Sequence, residues 1–440
     1  MLVPSRQLIL LTALVVLPAA TVAGVIPEAA GLAMAVIALF ALVAVGDALR
    51  STELLRDLEF SIPEVVRLTQ DREGLVPVQI RCTTPRALQL RATIALPESF
   101  TAHDWIRSAL VPASGDPVDL NWSVQSPDRG RHPLSLVRVE TSSPHGLWAV
   151  RRTLHPSATV LVYPDLLRDR RTVAAVFLNR SGVGIHARRQ VGQGREFEKL
   201  RDYSHGDPVG DIHWKATAKR GRPVSKVFQI ERTQEVYVIL DASRLTGRTD
   251  GRETDFERSL RAGLLLAAAA ERQGDLFGVV AFDSKVRQFV RSGRGRPHFT
   301  ACRESIFALQ PRSVTPDFAE VCTTLRLRLR RRALLVFLTA LDDPVLAEDF
   351  TRAVRLLSGQ HLVVAVQPRP AGARPLFSGS EVATTDDVYA ALGAHVRWQK
   401  LRLLEEVLRT ANVRFTLAES ESLAPTVLRQ YLDLKQRQLL

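Results

Sequence analysis

The chain is expected to open with two transmembrane helices, continue into a β-sandwich-like domain and end in an α/β doubly wound domain. Three features point that way: two uncharged apolar runs before residue 50, a stretch of short β-prone segments punctuated by turn clusters, and a C-terminal half in which apolar strands alternate with helical patterns.

The first apolar run extends from Gln7 to about Ala23 and the second from Ala29 to Gly46. Each is about 17 to 20 residues, enough for a helix to cross the hydrocarbon core. The link Ile26-Pro27-Glu28 leaves room only for a tight turn. Arg6 precedes the first run, Arg50 and Arg56 follow the second, and the link carries only Glu28. The positive-inside bias therefore sets both outer flanks, and the bulk of the chain, in the cytoplasm. A competing reading makes the first run a signal peptide cleaved near Ala23, leaving the second as the anchor. Two buried soluble helices are disfavoured, because neither run has a polar stripe. Residues 1–50 are assigned to a transmembrane hairpin.

Residues 51–164 carry the β pattern. Val76–Cys82, Ala87–Leu96, Leu134–Thr141 and Ala158–Tyr163 are β-prone, and clusters such as Asp71–Gly74, Ser114–Pro117 and Ser126–Gly130 separate them. Regular short strands with such turns suggest a sandwich. The histidines here are scattered, with no ligand spacing.

From residue 236 to 440 the rhythm changes. Apolar runs at Glu235–Leu240, Leu276–Phe282, Ala333–Thr339, His361–Val366 and Arg414–Leu417 alternate with helices at Phe256–Arg272, Ala347–Leu357, Asp386–Thr410 and from Leu423. Alternation of this kind builds a parallel sheet, whose binding edge lies at the carboxyl ends of its strands. That rule directs attention to Asp241, Asp283 and Thr339–Asp343.

Between these parts, residues 165–235 hold the most distinctive stretch. Glu196, Arg201, Tyr203, Asp207, Asp211, Trp214 and Lys215 interleave charges of both signs with aromatics, as a paired surface network would. Their order is Gly194-x-Glu-Phe197, Leu200-Arg-x-Tyr203, Gly206-Asp207, then Asp211-Ile-x-Trp-Lys215 and Ala218-Lys219. This closely resembles the signature of the domain of unknown function 58 family. The resemblance covers nearly the whole chain, including a β-rich segment ending in Ser143-Pro-His-Gly-Leu-Trp148. It implies a von Willebrand factor A-like C-terminal domain. It also implies a place in membrane systems built around MoxR-type AAA+ ATPases and transglutaminase-like proteins, an inference by association.

A von Willebrand A-type site takes Mg²⁺ through an Asp-x-Ser-x-Ser loop, a Thr and a further Asp, hard oxygen donors suited to that ion. The resemblance places Asp241, Ser243 and Thr315 in this set. Leu245 stands at the second serine position and Thr339 where a carboxylate is usual, with Asp342 or Asp343 as the nearest substitutes. The metal site is therefore incomplete. The plainer reading is that Asp241 and Ser243 cap the loop that follows.

Other chemistry is excluded by pattern. Cys82, Cys302 and Cys322 form no CxxC pair, so neither a zinc site nor a disulfide framework is indicated. Gly192-x-Gly194 lacks the rest of a dinucleotide fingerprint, and Gly293-Arg-Gly-Arg296 is no phosphate loop. Lys and Arg number 59 against 46 acidic residues, a net charge of +13, which favours anionic partners. Aromatics make up only 6%, so no nucleic-acid partner is expected. The basic run Leu325–Arg332 reads as a helix end before a buried strand.

The expected function is thus a membrane-anchored cytoplasmic adaptor, partner of the lipid bilayer and of an AAA+ ATPase, and not an enzyme. The alternatives are an enzyme using Glu196, Asp207 and Asp211, or an envelope structural protein.

Overall fold

Two helices, Arg6–Val25 and Pro27–Ser51, are long and apolar enough to cross a membrane. Pro18 removes a backbone donor from the first, and the turn ahead of it, Thr12–Val16, is wound as a π-helix. The second continues past Gly46 through Asp47 and Arg50. The computed structural model describes residues 1–82, 87–168, 174, 191–204, 209–229, 234–251, 253–370, 372–376, 378 and 384–437. The chain divides into two compact units, residues 1–165 and 166–440.

In the first unit, both ends of the helical hairpin are tied to the β domain. Ahead of the first helix, Leu2–Pro4 pairs antiparallel with Trp148–Val150. Asp47, on the second helix, is 1% exposed and faces the Ser143–Trp148 loop. Ser143 Oγ donates to its Oδ2 at 2.5 Å, His145 N donates to its Oδ1 at 3.2 Å, and His145 Nδ1 lies 3.0 Å from that oxygen. Trp148 Nε1 donates to the Ala44 carbonyl at 2.8 Å. A carboxylate at a helix end is tolerated there because its lone pairs are met. Gly146 closes the loop at φ +74, a conformation that side chains other than glycine's rarely adopt.

The β domain comprises sheets of five, four and three strands around one core. Gly74–Cys82 shows why the strands form: Val76, Val78, Ile80 and Cys82 alternate inward and are fully buried. Each such aliphatic side chain contributes about 1.5–3 kcal/mol. Trp122 is also fully buried, and its Nε1 donates to the Trp105 carbonyl at 3.1 Å. The sequence pattern passed over Val118–Gln125 and Trp148–Leu154, which carry the same alternation between polar neighbours.

The second unit contains an antiparallel ribbon of Val191–Asp202 and Val224–Gln229, with the short helix Trp214–Arg220 between them. Next comes a six-stranded sheet. Its strands are β1 (Glu235–Asp241), β2 (Leu276–Phe282), β3 (Val286–Gly293), β4 (Ala333–Leu338), β5 (Leu362–Pro368) and β6 (Val413–Ala418). The spatial order is β3-β2-β1-β4-β5-β6. All pairs are parallel except β2–β3, so the sheet is mixed rather than wholly parallel as the sequence suggested. Helices α1 (Asp255–Arg272), α2 (Arg296–Ile306) and α6 (Leu423–Gln436) contribute to one core cluster with Val236, Val238 and Leu240. Helices α3 (Phe318–Arg328), α4 (Pro344–Ser358) and α5 (Thr385–Thr410) contribute to another with Tyr237 and Ile239. Strand β1 is thus buried on both faces, which accounts for its unbroken apolar run.

Candidate functional site

The parallel register sets the site. Asp241 at the end of β1 stands beside Phe282 of β2, and Leu240 beside Leu338 of β4, so Asp283 and Thr339 flank the Asp241 loop. Thr339 Oγ1 donates to Asp241 Oδ2 at 2.6 Å, and Ser243 N donates to Oδ1 at 2.9 Å. Thr246 Oγ1 donates to the Asp241 carbonyl at 2.7 Å, closing the turn. Asp241, Ser243, Thr246, Asp283 and Thr339 are all buried. The Asp241 carboxyl is raised above its ordinary range. Burial is the main cause, opposed by the bonds from Thr339 and Ser243 and reinforced by the nearby Asp283.

Asp283 is held separately. Lys285 N donates to its Oδ1 at 3.2 Å, while Arg287 lies 3.4 Å and Arg312 3.7 Å from its Oδ2. The loop carrying Thr315 crosses the same edge: Val314 O accepts from Arg244 N at 3.0 Å, and Asp317 N donates to Asp283 O at 3.0 Å. Thr315 itself is exposed. Of the substitutes considered for a metal carboxylate, Asp343 caps α4 by accepting from Val345 N, and Asp342 pairs with Arg248. Leu245 is buried in the apolar cluster on the α3–α5 side.

These residues do not fit Mg²⁺. Asp241 accepts from Thr339 and Ser243 of the chain, a hydroxyl stands at Thr339 where the resemblance implies a carboxylate, and Leu245 stands where it implies the second serine, so the oxygen set falls short. Among the described residues no group of three or more His, Cys, Asp or Glu is placed to hold a metal ion. The arrangement is a sealed hydrogen-bonded rim. Asp283 and Thr339 were legible from the carboxyl-edge rule; Thr246 was missed, and a threonine following Asp-x-Ser within a turn was its only signal.

The signature residues lie on the ribbon and the helix after it. Tyr203 is half-buried and its N donates to the Pro223 carbonyl at 3.0 Å, whereas Arg201, Trp214 and Lys215 are exposed. His213 caps the helix, its Nδ1 accepting from Ala216 N at 3.0 Å. Glu196 pairs through its backbone with Gln229, and Asp211 ends the turn Val209–Asp211. The side chains of Glu196 and Asp211, and Asp207 altogether, lie outside the described residues.

Residues 199–371 match the family model for Protein of unknown function DUF58. Uncharacterized proteins of Mycobacterium tuberculosis and Mycobacterium bovis are each 24% identical over 188 residues, covering 42% of this chain. The chain matches 58% of the length of those curated relatives. Among solved structures, the SpRpn10 VWA domain aligns with a TM-score of 0.30 and 10% identity, over 45% of this chain and 95% of its own. An aerotolerance-related membrane protein from Bacteroides fragilis aligns with a TM-score of 0.31 and 16% identity, over 46% and 99%.

Proposed function

We propose that the protein is a membrane-anchored adaptor whose von Willebrand A-like α/β domain binds a protein partner in the cytoplasm. The observation that carries this is an apolar stripe along α5. Val388, Leu392, Val396, Leu403 and Val407, spaced by about one or two turns, are 41–61% exposed. Exposed apolar side chains aligned on one helix face mark interaction sites more often than scattered ones do. The C-terminal part of the stripe borders a groove of 630 Å³ against α4, floored by Ala347, Leu401 and Leu404 and rimmed by Arg352, Arg355 and Lys400.

The partner we favour is a MoxR-type AAA+ ATPase, in keeping with the family resemblance. The β domain, read as sandwich-like, would hold the α/β domain to the membrane through Asp47 and the Ser143–Trp148 loop. Arg6, Arg50 and Arg56 support an orientation with both hairpin ends inside. On this reading the protein does no chemistry of its own, which the enclosure of Asp241 and Ser243 supports.

A photo-crosslinking residue placed at Leu392 tests the proposal in membranes. Crosslinks to an AAA+ ATPase are expected; crosslinks to lipid alone would count against it.

A further inference from the structure

A second cavity, of 280 Å³, opens at the carboxyl ends of β4 and β5 under α5. Arg248, Arg369, Arg397 and Lys400 line it, together with Asp255 and Asp342. Charge pairing inside the cavity is uneven. Arg248 pairs with Asp342, Asp255 accepts from Arg258 at 3.1 Å, and Arg369 lies 3.5 Å from Glu419. Arg397 and Lys400, one turn apart on α5, make no ion pair among the described residues and add two positive charges to the cavity's lining.

Two buried polar atoms at the same cavity also lack partners. Gln367 is 1% exposed, and its Oε1 accepts from Leu341 N at 2.8 Å, which leaves Nε2 facing no acceptor. Asp342 Oδ1 is buried and meets no donor. An unmet buried donor or acceptor is destabilising, and a ligand that meets both relieves it. The required ligand is an anion carrying acceptor oxygens for Gln367, Arg397 and Lys400 and one O–H for Asp342. A carboxylate lacks the donor, and so does sulfate at neutral pH. A singly protonated phosphate has both.

We propose that this cavity binds inorganic phosphate in its singly protonated form. It lies beyond the sealed Asp241 rim and does not rest on the adaptor reading, although Lys400 borders both the cavity and the α4–α5 groove. Arg397 and Lys400 supply charge, Gln367 Nε2 fixes one oxygen, and Asp342 selects the protonated oxyanion.

Calorimetric titration of the full chain in detergent tests it, with inorganic phosphate, glycerol phosphate, sulfate and acetate as probes. Phosphate is expected to bind at least about tenfold more tightly than sulfate, with acetate weaker still. Glycerol phosphate, a monoester that is mostly the unprotonated dianion at neutral pH, is expected to bind more weakly than phosphate, and tighter binding of it would overturn the proposal. Arg397→Gln with Lys400→Gln should weaken phosphate about tenfold or more. Asp342→Asn should narrow the difference between phosphate and sulfate. Equal binding of phosphate and sulfate, phosphate binding untouched by the double substitution, or no phosphate binding at millimolar concentration would each overturn the proposal.

Discussion

Thr339 Oγ1 donates to Asp241 Oδ2 at 2.6 Å across the carboxyl ends of β4 and β1, with both residues buried. This contact joins the two central strands of the sheet at their carboxyl ends. A hydroxyl in place of a carboxylate turns the edge into a latch. Thr339→Val removes the donor at nearly constant volume and leaves a buried carboxylate oxygen unmet. A loss of about 1–3 kcal/mol in chemical denaturation is expected, with Thr339→Ser largely retaining stability. Equal stability of Thr339→Val and wild type would mean that the latch contributes nothing.

The raised Asp241 carboxyl gives stability a pH dependence of known sign. The unfolded group titrates near 3.8, and the folded group holds its proton to higher pH. Its favourable contribution is therefore complete below the unfolded value and is lost as pH rises through the folded one. Relative to Asp241→Asn, the wild-type melting temperature should fall progressively above about pH 4. Parallel pH profiles for the two proteins would refute this.

Ser143→Ala tests the junction between the hairpin and the β domain. It removes the donor to Asp47 Oδ2 and the acceptor for Trp148 N at 2.9 Å. A loss of about 1–3 kcal/mol is expected, seen as a lower melting temperature in detergent and earlier proteolysis after residue 51. An unchanged proteolytic pattern would mean that the loop does not hold the helix.

Gly278 in β2 has no room for a side chain. A Cβ there would lie 2.6 Å from Tyr237 Cδ1 and 2.9 Å from the Val290 carbonyl oxygen. Gly278→Ala should cost about 1–3 kcal/mol, because the carbonyl belongs to the paired edge strand and cannot swing aside. Thermal melts of the two proteins would show it, and coincident curves would contradict it.

Much of this architecture was legible in the residues. Leu276–Phe282 is bounded as the apolar pattern predicts, and the basic run Leu325–Arg332 does end a helix, with Leu329 at its cap. Strand β3 was not legible: Val286–Gly293 is a half-buried edge whose polar residues dilute any apolar run. Helix α2 begins after Gly295 at φ +89, inside a Gly-Arg stretch that reads as a plain turn. At the site, the sequence pointed to Asp241, Ser243 and the Thr339 stretch, but not to which partners they choose. Whether Asp241 faces an ion or a hydroxyl depends on register between strands nearly a hundred residues apart, which no local pattern encodes.

The most direct measurement for the adaptor account is affinity capture of the tagged protein from detergent-solubilised membranes, followed by mass spectrometry. Wild type is compared with a Leu392→Glu, Leu403→Glu variant of confirmed fold. Recovery of an AAA+ ATPase with wild type and its loss with the variant is the expected result. Equal recovery with both, or no ATPase with either, would contradict the account.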